Sequence, residues 1–205
     1  MFISRRIARP HPGKIDLVMD RTHQLAGILS RHGASTRISR VVAGAGAGDI
    51  HVYARYDTMA AGTGANVAMM NDPAYKKLTS ERGANPAADV TGPEVFRSIW
   101  GGMNPSDTVR MHRTYAMQRS NMKAAIGLLE EIGTLMKDEP VTVMAGIPVL
   151  ASRMDTMTVV YGFADMHDFG EGVDRIGMSP EFQDIVTRAD EVGTLFESRV
   201  LQAIS

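Results

Sequence analysis

The stretches MNDPAYKKL (residues 70–78) and GMSPEFQDI (177–185) share one pattern. Each has a methionine, a small polar or acidic residue, a proline, an aromatic two positions on and an aliphatic three beyond it. Pro73 and Pro180 stand 107 positions apart. That period is too long for a solenoid unit, and in 205 residues it leaves room for two copies of one larger unit. Any fold for this chain has to place the same local structure at both sites.

Working outward from the two prolines, the flanking segments fall into matching order. DIHVYARYDTM (49–59) and TMTVVYGFADM (156–166) are rich in β-branched and aromatic residues and read as strands, as do TRISRVVAG (36–44) and VTVMAGIPVLAS (141–152) before them. Earlier still, 14–33 and 121–140 have helical periodicity. The first gathers Ile15, Val18, Leu25, Ala26 and Leu29 on one face and stops at Gly33; the second gathers Ile126, Leu129, Ile132 and Met136 and ends at Pro140. Each helix follows a further strand, 2–9 or 108–117. The repeated phrases open second helices, with Asp72 and Ser179 as N-caps and a proline in the first turn. Segments 94–100 and 194–204 close each half as strands, although the second also fits a helix. Each half is therefore β-α-β-β-α-β, the ferredoxin-like arrangement of a four-stranded antiparallel sheet with two helices on one face. The expected class is α+β, with units at 1–103 and 104–205 whose sheets cover each other as an α/β barrel.

The doubled βαββαβ pattern resembles the dimeric α/β-barrel superfamily, and the DP and SP phrases before an aromatic are similar to its NIPSNAP-like members. The resemblance spans nearly the whole chain. It implies a small-molecule site between two sheets and a choice among isomerases or cyclases, cofactor-independent monooxygenases, haem enzymes and proteins without chemistry. Fold alone does not choose among these.

Composition narrows the chemistry. With no cysteine, disulfides, thiolate catalysis and Cys-ligated metals are excluded. The 15 methionines are dispersed and read as apolar filler rather than a copper site. A formal net charge of −1 gives no general attraction to nucleic acid or anionic membranes, so Arg5, Arg6, Arg9, Arg37 and Arg40 are read as scattered and solvent-facing. No apolar run is long enough to span a bilayer and the amino terminus lacks a signal-peptide core, so the cytoplasm is expected. VAGAGAGD (42–49) precedes a strand rather than a helix, which makes it a hairpin and not a phosphate loop. DMHDFGEGVD (165–174) has one histidine among its acids and reads as helix capping; no metal is expected.

The chemistry is sought on DIHVYARYD. Alternation puts Ile50, Val52, Ala54 and Tyr56 on one face and His51, Tyr53 and Arg55 on the other. In the matching strand Met157, Val159, Tyr161 and Phe163 share a face, leaving only Thr158, Val160 and Gly162 opposite. His51, Tyr53 and Arg55 are thus expected between the sheets: His51 as general base, Tyr53 as proton donor or oxyanion partner, Arg55 as anion anchor. On RMHRTYAM (110–117) both faces mix polar and apolar groups; His112 and Tyr115 are the substrate-binding candidates. The expected ligand is a mostly apolar organic molecule turned over without a cofactor. The alternatives are a NIPSNAP-like binding protein, and haem ligated by His51 or His112. Free sheet edges would allow a homodimer. Trp100 is expected where the two units meet.

Overall fold

The computed structural model describes residues 1–204. Eight strands run in the order expected: β1 (Phe2–Pro10), β2 (Ser35–Gly44), β3 (Ile50–Tyr56), β4 (Ala88–Gly101), β5 (Val109–Ala116), β6 (Thr142–Leu150), β7 (Thr156–Phe163) and β8 (Thr194–Ala203). They close into one antiparallel barrel, β1-β3-β2-β8-β5-β7-β6-β4. Each half contributes the same spatial order, β4-β1-β3-β2 and β8-β5-β7-β6. The halves are joined by two seams, β2 with β8 and β4 with β6. The fold is therefore the expected one, and 194–203 is strand rather than helix. With the barrel closed, no sheet edge among the described residues is left for pairing with a second copy. The boundary expected at 103/104 falls in the connection between β4 and β5.

Helices cover the outside of the barrel. Between β1 and β2, α1 (Ile15–Arg31) buries Val18, Leu25, Ala26, Ile28 and Leu29 on one stripe; α4 (Met122–Leu135) does the same with Ala125, Leu129 and Ile132. The second helix of each half is broken in two. In the first half α2 (Met59–Asn71) ends at Asp72 and α3 (Pro73–Ala84) begins; in the second, α5 (Met166–Gly172) passes through a π-helical turn before α6 (Pro180–Val192). The repeated phrases mark the start of α3 and α6. Asp72 accepts from the Ala74 amide at 2.8 Å and Ser179 from the Phe182 amide at 3.2 Å. Proline in the first turn sacrifices only an amide that has no helical partner.

Asp72 also lies 3.1 Å from Arg31 and 3.0 Å from His32, tying the end of α1 to the start of α3. The Ala74 amide and His32 together hold its carboxyl down to about 2. Asp72→Ala is expected to lower the thermal unfolding midpoint by roughly 2–6 °C, and melting curves of the variant check this.

The core is divided unequally. In the second half one continuous cluster includes Tyr115, Leu129, Ile132, Met157, Val159, Tyr161 and Phe182. Trp100, on β4 of the first half, packs against it close to Gly133 of α4, so the indole sits where the halves meet. In the first half the core falls into two clusters, one around Leu25, Leu29, Val52 and Leu78, the other around Val18, Ala26, Ile38 and Ile50.

Candidate functional site

Strand alternation decides what enters the barrel. Ile50, Val52 and Ala54 face the helices and are buried, so His51, Tyr53 and Arg55 point the other way. The lumen is a cavity of about 550 Å³. Tyr53, Arg55 and His112 line it, together with Arg5, Arg37, Arg97 and Arg110; Phe96, Met103, Met144 and Val160 supply apolar wall. On β7, Met157, Val159, Tyr161 and Phe163 pack under the helices while Thr158 and Val160 face inward, following the expected split.

Two expected placements are corrected. Tyr115 does not reach the lumen: its ring is buried between the sheet and α4, because on β5 it is Arg110 and His112 that point inward. His51 is inside the barrel but behind its wall, fully buried, with Nδ1 2.9 Å from the Tyr53 hydroxyl and Nε2 3.3 Å from Arg199. Burial, reinforced by Arg199 and Arg5, pushes its imidazole down to about 3. A ring so weakly basic, and not on the cavity wall, does not suit the general-base role. His112 is also held neutral by burial, with His51 and the nearby guanidiniums acting in the same direction.

The cavity wall carries five guanidiniums and no carboxylate among the described residues. Arg5 is paired with Glu94 at 2.5 Å. Arg37 donates to the Asp107 carbonyl at 2.5 Å. Arg37, Arg55, Arg97 and Arg110 enter no ion pair among the described residues. The Nε groups of Arg5, Arg37 and Arg110 are buried without a hydrogen-bond partner. Burial and the neighbouring Arg37 bring Arg110 down to about 10, with Asp107 acting in the opposite direction. Arg5 and Arg37, expected to face solvent, face the lumen instead. A lumen face and a solvent face look alike in sequence, and barrel closure separates them.

A second cavity, of about 690 Å³, lies between the first half's helices and the outer face of β1 and β4. Val18, Leu25, Val52 and Leu78, from both first-half clusters, line it, with Arg6 and Arg82 among its polar groups. The corresponding space in the second half has only about 40 Å³. There Tyr115 stands at the position matching Ala8, and Ala189 at the position matching Arg82.

No protein-family model matches the sequence, and no curated protein matches it. Solved structures do share the fold. A candidate monooxygenase of Fusobacterium nucleatum has a TM-score of 0.70 at 9% identity, over 100% of this chain and 92% of that one. An anthrone oxidase-like protein has a TM-score of 0.64 at 10% identity, over 100% and 91%. The haem-degrading enzyme of Listeria monocytogenes has a TM-score of 0.53 at 8% identity, over 98% and 99%. These likenesses define the class of fold, the dimeric α/β barrel, here closed within a single chain. They do not reach the NIPSNAP-like resemblance, and at such identities they carry no chemistry.

Proposed function

We propose that the chain is an enzyme that holds an enolisable or phenolic organic molecule in the barrel lumen as its anion, for isomerisation, cyclisation or metal-free oxygenation. One observation carries this: five guanidiniums, only Arg5 of them in an ion pair among the described residues, converge on a cavity whose wall also carries Phe96, Met103, Met144 and Val160. Buried cations of this kind favour a ligand that brings its own negative charge. Arg37 and Arg110 stabilise the enolate or phenolate as it forms, and the anion is the electron-rich species that reacts with oxygen or reprotonates elsewhere. Phe96, Met103 and Met144 provide the surface against which a flat apolar body packs.

The cavity also has a residue that would suit haem. A haem needs a neutral imidazole open to it, and among the two expected ligands only His112 lines the lumen. His112 would hold the iron and Arg37 and Arg110 would meet the propionates; the group would supply redox chemistry at that iron. Absorption during haemin titration, with His112→Ala alongside, tests this. A binding protein without chemistry, the NIPSNAP-like alternative, would use the same lumen and differ only in turnover.

Anthrone, an enolisable aromatic ketone, is the first substrate to try, prompted by the anthrone oxidase-like fold neighbour. Oxygen uptake is expected with the native chain, and Arg110→Met is expected to lower kcat/KM by roughly a hundredfold. Arg6→Ala, in the helix–sheet cavity, should leave it unchanged; loss of activity there instead would move the site outside the barrel. If aromatic anions bind but none turns over, the protein is a binder. If no organic anion binds, the lumen reading is wrong.

A further inference from the structure

Resting on the lumen reading, we propose that Tyr53 donates the hydrogen bond that receives the ligand's oxyanion, an enolate or phenolate oxygen, and that His51 and Arg199 are positioning residues that aim its O–H. The argument begins at Arg199, which comes from β8 and reaches His51 on β3. A guanidinium only donates. Its Nη1 lies 3.3 Å from His51 Nε2, so that ring nitrogen is the acceptor and the neutral imidazole carries its proton on Nδ1. Nδ1 is 2.9 Å from the Tyr53 hydroxyl. The Nδ1–H therefore donates to the phenolic oxygen, and the phenolic hydrogen must be given to something else. Tyr53 lines the lumen, and its hydroxyl has no hydrogen-bond partner besides His51 among the described residues. That hydrogen is available to an oxygen the ligand brings.

The surroundings favour a charged oxygen over a ketone. Arg5, Arg37, Arg110 and Arg199 all stand close enough to act electrostatically on the Tyr53 hydroxyl. Burial outweighs them and raises the phenol, so Tyr53 keeps its proton and acts as donor. Arg5 and Arg199 are each matched by a carboxylate, Glu94 and Glu197, while Arg37 and Arg110 enter no ion pair within the described structure and feel Asp107 only from a distance. An oxygen at the tip of Tyr53 thus gains most as negative charge accumulates on it, which is the differential that accelerates enolisation or exposes a phenolate to oxygen. His51 touches Tyr53 and Arg199 and lies behind the cavity wall, so its part is to fix direction rather than to move the proton.

Two measurements test the assignment. Ring-nitrogen NMR on ¹⁵N-histidine-labelled protein should find His51 neutral and protonated at Nδ1 at pH 7, with Arg199→Met shifting it toward the Nε2–H form. An Nε2–H tautomer in the native chain overturns the positioning scheme. The donor is tested with 4-nitrophenol, whose phenolate absorbs separately from the phenol. The native chain should bind the phenolate preferentially. Tyr53→Phe should weaken that binding ten- to a hundredfold. His51→Leu should behave like Tyr53→Phe. His51→Asn, whose amide nitrogen takes the place of Nδ1, should stay within about threefold of the native chain. Phenolate binding lost in Arg110→Met but intact in Tyr53→Phe overturns this proposal and leaves the lumen reading standing. No phenolate binding by the native chain overturns both.

Discussion

Taking the protein from pH 6.5 to pH 4 should cost it about 3 kcal/mol of stability through His51 alone. The sign follows from burial. The native state holds His51 down to about 3, against 6.5 for an ordinary imidazole, so the unfolded chain binds the proton first. The contribution is complete above the ordinary imidazole range and is lost as the pH falls toward about 3. His112 is lowered for the same reason and adds in the same direction. Glu94, held to about 2 by hydrogen bonds from Arg5 and Ser152 despite the opposing effect of burial, extends the loss into stronger acid. Against a usual total of about 5–15 kcal/mol, this is enough to unfold a marginal domain. Urea unfolding between pH 7 and pH 4 reads it directly, and His51→Asn should flatten the upper part of the curve. A free energy independent of pH over that range would mean that His51 is not buried as described.

The second large effect concerns the two seams. Gly44 on β2 opposes Arg199 on β8, and Gly101 on β4 opposes Met144 on β6. Both have positive φ, 83° and 67°. A Cβ on Gly44 would overlap the Ser198 carbonyl oxygen, and one on Gly101 the Val143 carbonyl oxygen, both backbone atoms with nowhere to go. Gly44→Ala and Gly101→Ala are each expected to lose about 3 kcal/mol or more, lowering the thermal midpoint by roughly 6–12 °C. Gly48, with φ of 96° but open space around it, separates the causes. Gly48→Ala carries only the conformational cost of about 1 kcal/mol. If all three variants melt alike, backbone strain and not seam contact explains the glycines.

How much of this could be read from the chain depended on which face carried the stronger signal. β3 and β7 alternate cleanly because their helix-facing residues are uniformly apolar, so their inward residues were found by elimination. β5 resisted because polar groups sit on both its faces: Arg113 lies under the helices with its guanidinium over the Phe182 ring, and Tyr115 is buried there too. The same mixture hides its lumen arginine, Arg110. α2 gives no helical signal, because MAAGTGANVAMMN has two glycines and no apolar stripe of helical period. Against a base role for His51 stand its burial behind the wall and then Arg199, a partner 148 positions away, neither of which a local pattern announces.

A barrel closed by two copies of one chain shows every interior side chain twice, related by a two-fold axis. Here the matching positions, 107 apart, differ: Ile3 and Arg110, Arg5 and His112, Arg37 and Met144, Tyr53 and Val160, all on the lumen wall. A molecule inside a symmetric barrel would have two equivalent ways to lie. Here the two ways are inequivalent, so on the lumen reading proposed above an unsymmetrical ligand meets different side chains in each. Joining both halves in one polypeptide therefore gives the interior a direction, and regiochemical and stereochemical choice become properties the lumen can hold.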